Sequence, residues 1–163
     1  MGELVGGVEL MHRVIGRDLV AVTEARHWHD GRRDGDAESL LHFWLHFQGV
    51  PPLMAHGSGE LLLLEFSEPY AAYDMGEHGE TRVGPAQKPD LLALLPGHRL
   101  LDAALIRGYA TRPALGGVLL RFDHCDLVVA SLGDEWVLRQ GTIPSELATY
   151  LTVGSWLGDR AIG

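Results

Sequence analysis

The chain has 163 residues, of which 46% are hydrophobic and 21% are charged, so we expect a single domain, residues 1–163, with a hydrophobic core. The net charge of −9 disfavours general nucleic-acid binding, because an acidic surface repels the phosphate backbone. The sequence contains neither a basic leader followed by an apolar run nor an apolar segment of membrane-spanning length. We therefore expect a soluble, cytoplasmic protein that does not bind membranes.

An internal repeat organises the predicted elements. Leu45 matches Leu120 at a shift of 75 residues, and Pro69 matches Pro144 at the same shift. A constant shift over this stretch is the signature of a repeated structural unit. We predict a duplication, with repeats at residues 8–69 and 89–144 and a connector at residues 70–88.

Each repeat is predicted to contain one short helix followed by four strands, because helical spacing of apolar residues gives way to alternation with polar ones. In the first repeat the helix covers residues 8–15, and the strands cover residues 19–28, 41–47, 53–56 and 60–66. In the second repeat the helix covers residues 90–95, and the strands cover residues 100–109, 117–122, 127–131 and 135–140. The connector is predicted to hold a short extended piece near residues 81–83. A last helix is predicted from Thr142 to about Leu151, with Pro144 in its first turn.

These elements predict a β-rich α+β fold. Each repeat forms a four-stranded antiparallel meander, and the two meanders with their short helices pack as a pseudo-twofold sandwich or close into a barrel. Alternation along the strands does not distinguish the two architectures. The predicted core residues are Val118, Leu120, Phe122, Val129, Trp136 and Leu138.

Histidines are concentrated on the first two predicted strands. His27 and His29 end the first strand, and His42 and His46 lie on the second. Strand residues two apart point to the same face, so His42, His46 and the intervening Trp44 face away from the predicted core. If the two strands pair, the four imidazoles could converge on a transition metal such as Zn²⁺. The alternative is a solvated or partly packed histidine face.

Two glutamates occupy matching places in the repeats. Glu60 and Glu135 each follow a glycine-containing turn. Pseudo-twofold symmetry could bring them together as a carboxylate pair, in which one pKa is raised for acid–base chemistry. The alternative is that each carboxylate accepts hydrogen bonds from its own turn.

The segment 68–84 carries the third group of candidate residues. Tyr70, Tyr73 and Asp74 lie here on a stretch too rich in glycine and polar residues for a confident helix. Long irregular segments with aromatic and charged side chains often hold binding sites. The alternative is a strap that its own tyrosines pack over one sheet.

Three segments carry a resemblance to known proteins. Residues 97–100, 117–122 and 134–136 read G-H-R-L, G-V-L-L-R-F and D-E-W. This pattern resembles that of small actinobacterial proteins of unknown function, with G-R-x-L, G-x-x-L-x-F and D-E-W-x-L in that order. Those proteins are similar in size and style to immunity proteins of bacterial toxin systems. The resemblance implies a binding role and no catalytic residue.

We therefore predict a non-enzymatic protein-binding module, immunity-like and directed against a basic partner, because the sequence contains no complete catalytic constellation and its charge complements a basic surface. Self-association through a sheet edge is the rival within this class. The alternative class is a small-molecule-binding protein or a metal-dependent enzyme that uses the histidine-rich strand pair. The predicted binding residues are Trp44, Glu60, Tyr70, Tyr73, Asp74 and Glu135.

Overall fold

The computed structural model describes residues 2–108 and 115–158. Its helices are α1 (Gly2–Val14) and α2 (Asp36–Ser39), and short 3₁₀ helices cover Gly76–His78, Leu91–Leu94 and Ser145–Leu147. The first six strands are β1 (Asp18–Trp28), β2 (Leu40–Phe47), β3 (Leu53–Ser58), β4 (Leu61–Phe66), β5 (Tyr73–Asp74) and β6 (Glu80–Pro85). The remaining strands are β7 (His98–Arg107), β8 (Leu115–Phe122), β9 (Asp126–Leu132), β10 (Glu135–Gln140) and β11 (Thr152–Trp156). Within these residues, every helix is too short or too polar to cross a membrane.

The strands form one large antiparallel sheet, which confirms the β-rich class. Its order is β10-β9-β8-β7-β1-β2-β3-β4, with β6 beside β1, β5 beside β6, and β11 beside β7. The two predicted meanders thus lie on either side of the β1–β7 contact, where Leu19 pairs with His98. In the described part of the chain the sheet does not close into a barrel, because β4 and β10 end the path without pairing to each other. The duplication stays a prediction.

Strands from the two sides of the β1–β7 contact pack on one another around the core: β4 contacts β8 and β9, and β3 contacts β9. Residues that alternate along β2 and β8 point into it, as the strand pattern predicts. The rings of Phe43 and Trp136 meet across the halves, with their centroids 5.3 Å apart. Trp136 is half-buried rather than buried, because part of its ring lines a cleft. The other predicted core residues, Val118, Leu120, Phe122, Val129 and Leu138, are all buried.

The prediction of a C-terminal helix from Thr142 is wrong. Only Ser145–Leu147 forms a 3₁₀ turn, and β11 follows it and pairs with β7. The end of β7 offers an unpaired strand edge, and the β-branched Thr152 and Val153 suit pairing there better than helix extension. The last residue predicted for the strand at 100–109, Tyr109, lies outside the described residues.

A buried ion network fixes the loop that joins β1 to β2. Arg26 is 5% exposed, and its Nη2 lies 2.7 Å from Glu24 Oε2 and 2.6 Å from Asp36 Oδ1. Asp90, before β7, lies 3.6 Å from the same nitrogen and also pairs with Arg33. Three carboxylates thus surround two guanidinium groups. The network ties α2 and the segment before β7 to β1.

Candidate functional site: an aromatic and acidic cleft

A cleft opens between the two halves of the sheet. One hollow of about 330 Å³ lies between β2, β3, the start of the connector and the β9–β10 turn. A second hollow of about 360 Å³ continues past Trp136 to α2. We call the two together the aromatic–acidic cleft. Its aromatic and acidic lining residues are His42, His56, Tyr70, Tyr73 and Trp136, with Glu38, Asp134 and Glu135.

Contacts between two turns close one end of the cleft. The Asp134 N–H donates to the Gly59 carbonyl at 3.1 Å, and the Gly59 N–H donates to Asp134 Oδ1. The Ser131 hydroxyl donates to the same carbonyl at 2.9 Å. Gly59 has φ of +61° and Asp134 has φ of +65°, in the left-handed region that glycine and, less often, aspartate adopt. The β3–β4 and β9–β10 turns therefore hold the two halves at a fixed distance.

Tyr70 joins the connector to the strands. Its hydroxyl and His42 Nδ1 share a hydrogen bond of 2.7 Å. Its ring packs against Trp44, with centroids 5.0 Å apart, and against Tyr73 at 5.9 Å. The connector is thus strapped over β2 by its own tyrosines. This strap also supplies one wall of the cleft.

Burial controls the protonation states of the residues in this wall. Burial, with a smaller contribution from His56, lowers the pKa of His42, and the two rings lie 4.3 Å apart. Burial, with a smaller contribution from Tyr73, raises the pKa of Tyr70 to about 12. Around neutral pH the wall therefore carries a neutral imidazole and a protonated phenol. These two side chains therefore add no positive charge to the cleft.

We expect part of the acid sensitivity of the fold to come from His42. Its pKa lies below the ordinary value of 6.5, so the unfolded chain binds this proton at a higher pH than the folded chain does. The contribution of His42 to the free energy of unfolding is therefore fully present above pH 6.5, and it is lost as the pH falls through the lowered pKa. His56→Gln should raise the pKa of His42 part of the way to 6.5, as measured by NMR titration of the ring. The control His29→Gln should leave it unchanged, and an unaltered pKa in His56→Gln would contradict the assigned role of His56.

The predicted binding residues differ in how accessible their side chains are to a partner. Tyr73 is 50% exposed and Trp44 is 0% exposed. Trp44 therefore cannot be a surface anchor, because the connector covers the outer face of β2, and its contribution to binding would be indirect. Glu135 is exposed and lines the cleft. Asp74 lies nearby and accepts a hydrogen bond of 2.8 Å from the Gly76 N–H.

The expected carboxylate pair is not observed. Glu60 Oε2 is buried and has no hydrogen-bond partner among the described residues, whereas Glu135 is exposed in the cleft. The turns that precede the two acids do meet, but they bring Gly59 and Asp134 together instead. Within the described residues, Glu60 Oε2 also accepts no hydrogen bond from its own turn.

The four histidines predicted to bind Zn²⁺ do not converge. Ala25 is opposite His42 across β1 and β2, so His27 and His29 extend beyond the paired part of β2. On its other edge, β1 pairs with β6 from Thr23 to Trp28. The Nε2 atoms of His27 and His29 contact the carbonyls of His78 and Glu77, and His46 Nε2 contacts Thr23 Oγ1 at 2.8 Å. Among the described residues, the one group of three potential metal ligands lies elsewhere, at the start of β7.

Several cleft residues were absent from the predicted set. They are Glu38, His56, Asp134 and Trp136. His56 lies directly opposite His42 in the β2–β3 register, so pairing the two predicted strands would have revealed it. Trp136 and Asp134 belong to the other half of the molecule. Their approach to the histidines depends on how the halves fold over each other, which local patterns do not encode.

The lining of the cleft favours cations. Aromatic faces and carboxylates both attract positive charge, and no lysine or arginine is present among the described lining residues. A hollow of about 390 Å³ between α1 and β4 is lined mainly by aliphatic side chains and offers less polar chemistry. Comparisons of the chain with protein-family models, with curated proteins and with solved structures found no match.

Proposed function

We propose that the chain is a non-enzymatic binding protein whose aromatic–acidic cleft takes up an arginine or lysine side chain of a basic partner protein, in an immunity-like role. The observation that carries this proposal is the composition of the cleft. Five aromatic or imidazole rings and three carboxylates line it, without a lysine or an arginine. A guanidinium group would stack on the rings and form ion pairs with the carboxylates.

The accessible residues of the cleft supply different parts of the binding energy. Tyr73 and Trp136 offer aromatic surface, which is enriched among residues that dominate interface energetics. A cation over such a ring gains about 0.5–1 kcal/mol at an exposed site and about 2 kcal/mol when desolvated. Glu135, exposed at the rim, adds charge attraction. The net charge of −9 would accelerate the encounter with a basic partner.

Glu135→Gln is expected to weaken the binding of a short arginine-containing peptide by about two- to fivefold, because it removes one rim charge and little else. Binding can be measured by titration of the tryptophan fluorescence, since Trp136 lines the cleft. The matched control is Glu9→Gln, which makes the same charge change on the exposed side of α1. The affinity should also fall with added salt, because exposed charges are screened.

If Glu135→Gln and Glu9→Gln weaken peptide binding equally, the effect comes from net charge alone. That result would contradict specific binding in the cleft. Binding that is insensitive to salt would remove the electrostatic part of the proposal. A chain that captures only itself from cell extracts would favour the homodimer instead. Capture of a basic protein by the wild type, and not by Glu135→Gln combined with Tyr73→Ala, would support the proposal at the level of the natural partner.

A small organic cation is the second candidate ligand, which would make the chain a small-molecule-binding protein. The main hollow of about 330 Å³ falls within the range of about 300–1,000 Å³ that is usual for small-molecule sites. Rings around a quaternary ammonium group are an established recognition mode. Tetramethylammonium that displaces the peptide at millimolar concentration, while no basic protein is captured, would favour this candidate over a protein partner.

We also propose that the two halves of the molecule descend from one duplicated unit. The support is the strand order, in which β1 to β4 run outwards on one side of the β1–β7 contact and β7 to β10 run outwards on the other. A superposition that aligns Leu45 with Leu120 and Pro69 with Pro144 would bear this out. A superposition in which the residues of those pairs do not occupy equivalent positions would contradict it.

A further inference from the structure

A second cluster of polar side chains lies at the start of β7 and shares no residue with the aromatic–acidic cleft. His98 Nδ1 is 2.7 Å from Asp123 Oδ1, and His124 Nδ1 is 3.5 Å from the same oxygen. The two imidazole rings are stacked, with centroids 3.5 Å apart and an interplanar angle of 13°. Two nitrogen atoms and one carboxylate oxygen therefore lie close together beside the β8–β9 turn.

Backbone hydrogen bonds hold the turn that carries two of these groups. The Asp123 N–H donates to the Arg99 carbonyl at 3.0 Å, and the Arg99 N–H donates to Asp123 Oδ2 at 3.1 Å. The Phe122 N–H donates to the Cys125 carbonyl at 2.8 Å. These bonds fix the β8–β9 turn against the start of β7. The backbone that carries the three ligands is thus held by hydrogen bonds between the turn and β7.

The orientation of His124 suits metal binding. Its Nε2 lies 3.1 Å from the Leu94 carbonyl, and a carbonyl only accepts hydrogen bonds, so Nε2 carries the hydrogen. In the neutral ring, Nδ1 then has a free lone pair and lies 3.5 Å from Asp123 Oδ1, which is also an acceptor. A proton on Nδ1 or a metal ion relieves the repulsion between these two acceptors, and a metal ion can bind both of them. A backbone carbonyl on the far nitrogen is also the usual partner of a metal-bound histidine.

We propose that His98, Asp123 and His124 bind a divalent transition-metal ion, with Zn²⁺ the best match to two imidazoles and one carboxylate. Metal–ligand bonds of about 2.0–2.1 Å in tetrahedral geometry place neighbouring ligand atoms about 3.3 Å apart. The 3.5 Å between His124 Nδ1 and Asp123 Oδ1 already fits. The His98 ring must rotate out of the stack, because the ion lies in the plane of each imidazole. Its ring proton must then be on Nε2, so that the Nδ1 lone pair is free to bind the ion.

The surroundings leave room for such an ion. The side chains of His98, Asp123 and His124 are 36%, 45% and 29% exposed, so an ion can reach them from solvent. The neighbouring positive charge of Arg99 is directed to Asp18, with Nε 3.0 Å from Oδ1. Three protein ligands leave the fourth tetrahedral position to water or to an exchangeable ligand.

The test is calorimetric titration of Zn²⁺ into the untagged full chain after treatment with a chelator. We expect one saturable site per chain. His98→Gln and His124→Gln should each weaken the affinity by at least about tenfold. The matched control is His29→Gln, which removes an exposed histidine that lies 3.4 Å from Asp30 and belongs to no group of three potential ligands among the described residues. It should change the affinity less than about twofold. Co²⁺ in the same site should show the visible absorption of a tetrahedral complex, lost in His98→Gln.

Three results would overturn the proposal. They are the lack of saturable binding by the wild type, equal binding by the wild type and the two site variants, and an equal loss in the His29→Gln control. Thermal unfolding of each metal-free variant checks that the fold is intact. Because the two sites share no residue, loss of Zn²⁺ binding in His124→Gln with normal peptide binding separates this inference from the proposed function of the cleft.

Discussion

Replacing Arg26 by alanine is expected to destabilise the protein by about 3–5 kcal/mol near neutral pH, the range for removing one partner of a buried ion pair. The guanidinium group forms two hydrogen bonds to the Glu24 carboxylate, at 3.1 and 2.7 Å. It also binds Asp36 through a side-chain oxygen and the backbone carbonyl. Without it, the Glu24 and Asp90 carboxylates would remain buried with one fewer positive charge beside them. Urea denaturation of both proteins measures the difference.

The difference in unfolding free energy between the wild type and Arg26→Ala, which we call the deficit, should be smaller at acidic pH. Burial raises the pKa of Glu24 above the ordinary value of 4.5, although Arg26 opposes the rise. Removing Arg26 removes that opposition, so the pKa rises further and the folded variant takes up a proton that the unfolded chain does not hold. Protonation of Glu24 therefore adds to the free energy of unfolding of the variant at low pH, and this contribution is lost as the pH rises through the raised pKa. The deficit should therefore be smaller near pH 4.5 than at neutral pH.

Arg82→Ala is the matched control for Arg26. This side chain is 48% exposed, pairs with Glu80 at 2.8 Å and lies over the Trp28 ring at 4.0 Å. An exposed pair of this kind contributes about 1 kcal/mol or less. A similar cost for the two variants, or a deficit for Arg26→Ala that is independent of pH, would contradict the account of the buried network.

Replacing Trp44 by alanine is expected to cost about 3–5 kcal/mol of unfolding free energy, the usual range for truncating a fully buried tryptophan. The side chain is 0% exposed, and its ring supports Tyr70 and, at 6.4 Å between centroids, His42. Truncation should therefore also loosen the connector over β2. Increased amide hydrogen exchange around Tyr70 would reveal this second effect.

Two further variants separate the structural role of the wall from its binding role. Trp44→Phe should cost clearly less than Trp44→Ala, because it keeps an aromatic ring and removes an indole N–H that is buried without a partner among the described residues. Tyr73→Ala should leave stability within about 0.5 kcal/mol of the wild type, as an exposed side chain, yet weaken peptide binding. A stable Trp44→Ala variant would contradict the packing described for this wall.

Local patterns predicted most of the strands. The alternation around Trp136 and Leu138 predicted residues 135–140, and β10 covers Glu135–Gln140. Such patterns report which face of an element is apolar, and that information is local. The segment after Thr142 was mispredicted, because its proline and polar residues suit a helix start while its actual state depends on the exposed edge of β7. Whether a strand edge is free to pair is known only once the sheet has assembled, so the local sequence does not reveal it.

The cleft was predictable only in part. Tyr70, Tyr73 and Glu135 could be chosen from composition and position alone. The outward direction of Trp44 also followed from strand parity, but parity does not reveal that the connector returns to cover it. For the histidines the decisive quantity was the β1–β2 register, which places Ala25 and not His27 opposite His42. Register and the packing of distant segments are set by the whole fold.

The most direct test of the central claim is an NMR titration of the labelled protein with a short arginine-containing peptide, followed through amide and indole N–H signals. We expect saturable shifts of the Trp136 indole signal and of the amides of Tyr70, Tyr73 and Glu135, all of which line the cleft. These shifts should weaken with salt and in Glu135→Gln. Shifts that cluster instead on the edge of β4, or no saturable shifts at all, would contradict a cation-binding cleft.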